Sequence, residues 1–334
     1  MTLNLKTLNI LVVEDLAPMR KLIIELLSAM DVGQVIGAKD GQEAYRVYLE
    51  VKPDIIFTDW EMPGMDGLNL IRKIRQADDS HNKSIPIIML SGFGSRSRIT
   101  EARDCGVTEF LTKPFTAEDI AKRLNHVIKN PRDFIFLPDF IGPDRRRTDA
   151  PNHPDNTRQK ETRKKIKANT DLIEKAGVET VDESTIEKSQ EILDQNEIDF
   201  PPIAIGFLNQ LHNTLNKARN DSADQSNGYL LEDLTLPIMQ LKANARIFKY
   251  DLVGNLADIL LAFLENVNEI DSVILEILES QRQTLSHLVN NGLDGTVGKT
   301  GEDFETEVKA LCNRYMKARA KKQQTQLQKV SQNK

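Results

Sequence analysis

Two adjacent acids, Glu14 and Asp15, directly follow the apolar run at residues 9–13 (NILVV), and a third acid, Asp59, directly follows residues 54–58 (DIIFT). Ser91 follows residues 85–90 (IPIIML), and Lys113-Pro114 comes just after residues 107–111 (VTEFL). Three carboxylates, a hydroxyl and an amine are a set with a definite chemistry if they meet. Crowded carboxylates repel one another and are tolerable only with a cation among them, and all-oxygen ligation favours Mg²⁺. Lysine cannot ligate the metal, but it would pair with an anion bound beside it. A hydroxyl donor would complete a shell for a phosphoryl group. Taken singly, each residue has an ordinary reading: Asp59 as a turn residue or cap, Lys113 as a solvated charge, Ser91 as a helix cap. Their shared placement after short apolar runs outweighs those readings.

The runs themselves are strand-like. With residues 34–37 (QVIG) they make five short, β-branched segments, separated by amphipathic stretches such as residues 19–30, where Leu22, Ile23, Leu26, Leu27 and Met30 fall on one face. Strands alternating with helices mean βαβ units, hence a parallel sheet covered on both faces. Right-handed crossovers make it an α/β doubly wound fold. In such folds ligands bind beyond the carboxyl ends of the strands. All five residues stand there.

The segments VVEDLAPMRKLI, PDIIFTDWEMPGMDGLNLIRKIR, IPIIMLSGF and FLTKPF resemble the receiver domain of response regulators, over about Leu8 to Lys129. The resemblance implies a flavodoxin-like, five-stranded parallel sheet. It makes Asp59 the phosphoryl acceptor, with Asp15, Asp59 and the backbone carbonyl of Glu61 as Mg²⁺ ligands and Glu14 acting mostly through water. Lys113 would contact the phosphoryl oxygens, Ser91 would donate to one of them, and Pro114 would follow a cis peptide bond. Phe110 stands where many receivers have tyrosine, and would be the ring that swings inward when Ser91 moves. Glu61 and Phe93 would flank the pocket and affect the lifetime of the acyl phosphate. The donor would be a phosphohistidine on a sensor histidine kinase or histidine phosphotransfer protein. A domain of this kind catalyses its own modification and is not an enzyme in the usual sense.

The rest of the composition sets bounds. A chain of 334 residues suits two domains and a linker. A net charge of -6 argues against wholesale binding to nucleic acid or anionic membrane. Cys105 and Cys312 match no metal or redox spacing, and no long apolar run suggests a leader or a membrane span, so a cytoplasmic setting is expected, and the resemblance implies a bacterial one. The expected organisation is a receiver at 1–130, a basic, proline-containing linker at 131–170, an α-helical domain at 171–320 and a basic, disordered tail at 321–334. Residues 171–198 read at best as a loosely held helix. Further helices are expected at about 201–218, 229–248 with Pro237 as a kink or break, 252–267, 270–289 and 302–320, their leucine stripes serving as core.

Several features in this half invite sharper readings. Arg145, Arg146 and Arg147 read either as a solvated run or as a docking element for an anion or acidic surface. FIGPDRRR resembles a tail that follows receivers in some bacterial regulators. Gly298-Lys299-Thr300 ends like a phosphate-binding loop, but Leu293 stands where glycine is required. His212 and His287 lack the spacing of a phosphotransfer domain. The expected function is therefore phosphorelay signalling, with output by protein–protein contact of the helical half and a homodimer as one arrangement. Alternatives are a transcriptional or RNA-binding regulator using the basic segments, or a receiver coupled to a degenerate phosphotransfer-like helical domain.

Overall fold

Short β-branched runs are best satisfied in a sheet buried on both faces, and five of them pair here: β1 (Asn9–Val13), β2 (Gln34–Ala38), β3 (Ile55–Asp59), β4 (Ile87–Ser91) and β5 (Glu109–Thr112). The sheet order is β2-β1-β3-β4-β5 and all four pairings are parallel. This flavodoxin-like order reverses direction at β1 and β3, which sets a crevice between their carboxyl ends. The connections are α1 (Ala17–Ala29), α2 (Gly41–Val51), α3 (Gly67–Gln76) and α4 (Arg96–Asp104), with α5 (Ala117–Lys129) following β5. Leu11, Val13, Ile56, Ile87 and Met89 meet Tyr45 and Tyr48 of α2, Ile71 and Ile74 of α3 and Ala102 of α4 in one core. Strand side chains alternate, so Ile10, Val12, Phe57 and Ile88 face the other side, toward α1 and α5.

The computed structural model describes residues 4–92, 96–137, 140–144, 164–166, 170–177, 180–220, 227–267, 269–292 and 298–332. The chain divides into two compact units, Met1–Asn196 and Glu197–Lys334. That boundary differs from the expected one, and two local reasons account for it. Within the stretch expected to be linker, β6 (Phe134–Leu137), β7 (Phe140–Pro143) and β8 (Lys164–Ile166) form an antiparallel sheet in the order β7-β6-β8. Phe134 and Ile135 are buried, and the Phe134 ring lies 5.0 Å from the Arg75 guanidinium. Arg75 is itself buried and donates to the carbonyls of Gly106 and Lys83. Gly106 sits at φ +91°, and a Cβ there would come within 2.3 Å of the Ile141 carbonyl, so β7 needs a glycine beneath it. Prolines and charges mark this stretch as linker in a linear reading, but β7 packs against α3 and α4.

The second reason is α6 (Asp171–Ala176) and α7 (Glu183–Asp194), where the sequence suggests only a loose helix. α7 packs against α1 and α5. Its Ser189 is buried and donates to the Leu26 carbonyl at 3.2 Å, and Gln190 Oε1 accepts from the Ala117 amide at 2.9 Å. Just before α7, the Val181 amide donates to Asn125 Oδ1 at 3.1 Å. These are long-range bonds, which periodicity cannot anticipate.

The regular elements described in the second unit are helices: α8 (Phe200–Asn220), α9 (Asn227–Ala245), α10 (Asp251–Leu264), α11 (Ser272–Asn290) and α12 (Gly298–Gln332). α9 packs on α8 and α10, α11 on α8, and α12 on α10. Leu211, Leu215, Leu234, Leu241, Leu256, Leu260, Ile274 and Leu278 are buried, as the leucine stripes imply. Pro237 lies inside α9 without ending it. The stretch expected to be a disordered tail is helical as far as Gln332, in keeping with its lysines, glutamines and leucine, all strong helix formers. Arg145, Arg146 and Arg147, and Leu293 ahead of the Gly298-Lys299-Thr300 run, lie outside the described residues.

Candidate functional site

The carboxyl ends of β1, β3, β4 and β5 deliver Glu14 and Asp15, Asp59, Ser91 and Lys113 to one crevice. Carboxylate oxygens of Glu14, Asp15 and Asp59 all lie within 4.8 Å of one another. Lys113 reaches into them, its Nζ 2.7 Å from Glu14 Oε2 and 3.2 Å from Asp59 Oδ1. Lys113, Glu14, Ser91 and Asp59 are buried, while Asp15 is half-buried.

The backbone holds this geometry. The Lys113–Pro114 peptide is cis, and the Lys113 amide donates to the Ser91 carbonyl at 2.7 Å, which joins the β4 and β5 ends. Arg20 of α1 donates to the Glu14 carbonyl at 2.6 Å and fixes the β1 turn. After β3 the chain turns so tightly into α3 that a Cβ at Gly67 would sit 2.2 Å from the Asp59 carbonyl oxygen. Asp66 caps α3 by accepting from the Asn69 amide at 2.7 Å.

Burial and mutual repulsion push the acids up. Asp59 rises from 3.8 to about 7, through burial first and then the Glu14 charge, with Lys113 offsetting part of it. Glu14 and Asp15 are raised as well, again chiefly by burial, and for Asp15 next by the Asp59 charge. Burial alone would lower the Lys113 value, but Asp59 and Glu14 outweigh it and hold the ammonium charged. One ammonium against three carboxylates leaves negative charge uncompensated. Oxygen donors at this spacing are suited to a hard divalent cation.

Glu61 lies two residues past Asp59, in the turn between β3 and α3, and Phe110 lies on β5. Phe110 is partly buried, its ring edge-on to that of Trp60 at 6.3 Å. Phe93 lies outside the described residues. Sequence reasoning missed Arg98 of α4, which pairs with Glu61 at 3.2 Å and lies over the Trp60 ring at 4.9 Å. No motif marks it, because the contact depends on where α4 packs. Arg20 was equally invisible, since a helix arginine carries no sign that it will cap a preceding strand end.

A parallel sheet in this order, with acids at the first and third strand ends, a hydroxyl at the fourth and a lysine–cis-proline at the fifth, defines a receiver-type module. The family model of the response regulator receiver domain matches residues 10–125. The chain is 33% identical over 124 residues to chemotaxis protein CheY-3 of Vibrio cholerae, covering 37% of this chain and 94% of that protein. It is 37% identical over 123 residues to chemotaxis protein CheY1 of Helicobacter pylori, covering 36% of this chain and 97% of that one. The solved structure of V. cholerae CheY4 is 30% identical, covers 36% of this chain and 98% of its own, and aligns with a TM-score of 0.34. The chain belongs to the response regulator family, and its N-terminal region is the receiver domain of a two-component regulator.

Proposed function

We propose that Asp59 accepts a phosphoryl group from a phosphohistidine on a sensor histidine kinase or phosphotransfer protein, and that the second unit relays the resulting state through protein–protein contact. The observation that carries this reading is the buried Lys113 ammonium joined to both Glu14 and Asp59 in a cluster of three acids. An Asp59 oxygen attacks phosphorus, the donor's P–N bond breaks, and a P–O bond to Asp59 forms. Asp59 must be ionised to attack, and the neighbouring Lys113 favours that form. Lys113 then stabilises charge on the transferred oxygens, and Ser91 donates to one of them. Mg²⁺, held by Asp15, Asp59 and the Glu61 carbonyl with Glu14 in support, would supply the remaining neutralisation when bound.

The chemistry is self-modification, so the domain turns over no external substrate. Leucine-rich helix–helix packing in the second unit suits a contact surface, and no helix among the described residues is long and apolar enough to cross a membrane. A soluble, cytoplasmic signalling protein is the setting this reading requires. Asp59→Asn keeps the shape of the side chain and removes the nucleophile, so labelling by acetyl phosphate in the presence of Mg²⁺ should disappear. Undiminished acid-stable, base-labile label on the variant would place the acceptor elsewhere.

A further inference from the structure

We propose that Arg98 is a positioning residue of this site: it clasps helix α4 to the turn that follows Asp59, and phosphorylation of Asp59 opens the clasp. The inference rests on Asp59 being the acceptor and adds a residue that no motif marks. Arg98 engages the turn twice. Its guanidinium pairs with the Glu61 carboxylate at 3.2 Å and lies 4.9 Å from the centroid of the Trp60 ring. Both partners of the ion pair are mostly shielded, with side chains 20% and 23% exposed, so water screens them less than an ordinary surface pair.

Trp60 connects that clasp to the acceptor. Its backbone N–H is shared between the Leu90 carbonyl and Asp59 Oδ1, each at 3.0 Å, so one of its bonds ends on the acceptor carboxylate. Its ring is 2% exposed and packs edge-on against Phe110 of β5. Trp60 therefore touches the acceptor, β5 and α4 together. α4 is also weakly anchored by its described side chains compared with α5. Among its described side chains only Ala102 is buried, whereas α5 buries Ala117, Ile120, Ala121, Leu124, Val127 and Ile128. A helix with so little apolar anchoring opens at low cost, and a few polar contacts then decide where it rests.

A phosphoryl group adds close to two negative charges next to this turn. It changes the oxygen that the Trp60 amide bonds, and so disturbs the residue whose ring Arg98 lies over. That change weakens the hold of Arg98 on Glu61 and Trp60. The electrostatic event at Asp59 thus becomes a change in the freedom of α4.

Hydrogen exchange over Arg96–Asp104 in the full chain, with Mg²⁺ and with or without beryllofluoride as phosphoryl mimic, tests the clasp. In the wild-type protein the mimic should speed exchange there. In Arg98→Ala exchange should already be faster by about tenfold without the mimic, the scale expected for losing a shielded cation–π contact and ion pair. The mimic should add little further at α4 while β5 still responds. Arg98→Lys keeps the charge but not the planar stack, so it should fall between the two, with Trp60 emission shifting in the same order. If alanine disturbs the sheet amides as well, Arg98→Lys and Glu61→Gln decide by the same measure. Exchange at α4 equal to wild type in both states would overturn the clasp. A wild-type protein that takes up no mimic would instead overturn the acceptor assignment beneath it, which is a separate and recognisable failure.

Discussion

Asp59→Asn should make the metal-free receiver unit more stable at neutral pH. Asp59 carries its carboxyl from 3.8 to about 7 in the folded protein, chiefly through burial and the Glu14 charge. A carboxyl whose pKa is higher folded than unfolded keeps its proton longer in the folded state. Stability is then greatest below the unfolded value and is lost as pH rises toward the folded one. Ionising Asp59 at pH 7 therefore costs folding about 4 kcal/mol. Asparagine cannot ionise and avoids that cost, but it weakens the 3.2 Å contact with Lys113. That contact already lowers the folded value of Asp59 and is included in the figure of about 4 kcal/mol, so the net gain is of that order. Urea unfolding in EDTA, followed by the emission of Trp60, measures this directly, because Trp60 is the only tryptophan and lies beside Asp59. Moving the wild type from pH 7 to pH 5 should recover about 2 kcal/mol from Asp59, while the variant should respond much less. Saturating Mg²⁺ at pH 7 should close much of that gap, since a ligand at one hundred times its Kd adds about 2.7 kcal/mol to the protein that binds it. A variant less stable than wild type at pH 7 in EDTA, with an equal pH slope, would refute the crowded-acid account of the pocket.

Two further outcomes follow from the same geometry. Asp15→Ala should weaken Mg²⁺ binding sharply, because it removes one of three acids whose oxygens lie within 4.8 Å, and a Mg²⁺ titration of Trp60 emission that saturates equally in both proteins would count against the site. A fragment ending after Asn196 should unfold at higher urea than one ending after Asn130, by on the order of 3 kcal/mol, because the shorter one leaves the sites for Val181 and Leu193 uncovered. Equal midpoints would mean that α7 adds nothing to the receiver unit.

Much of the receiver could be read from the chain alone, and for a local reason. Each strand of a doubly wound sheet is a short β-branched run bounded by an amphipathic helix, and the chemistry stands at the strand ends. Glu14, Asp15, Asp59, Ser91 and Lys113 were therefore placeable from position in the pattern, without any knowledge of distance. The helices of the second unit were legible likewise, because a stripe such as Leu252, Leu256, Ile259, Leu260 and Phe263 has one way to be buried. What folding alone decided depends on residues far apart in the chain. Phe134 and Ile141 read as linker until Arg75 and Gly106 supply a surface for them. Ser189 and Gln190 read as a polar, loosely held helix until Leu26 and Ala117 present backbone groups that they satisfy. Arg98 reads as one more surface charge until the packing of α4 sets it over Trp60 and beside Glu61. Periodicity records which side of an element is apolar, but it carries no information about which distant surface will cover it.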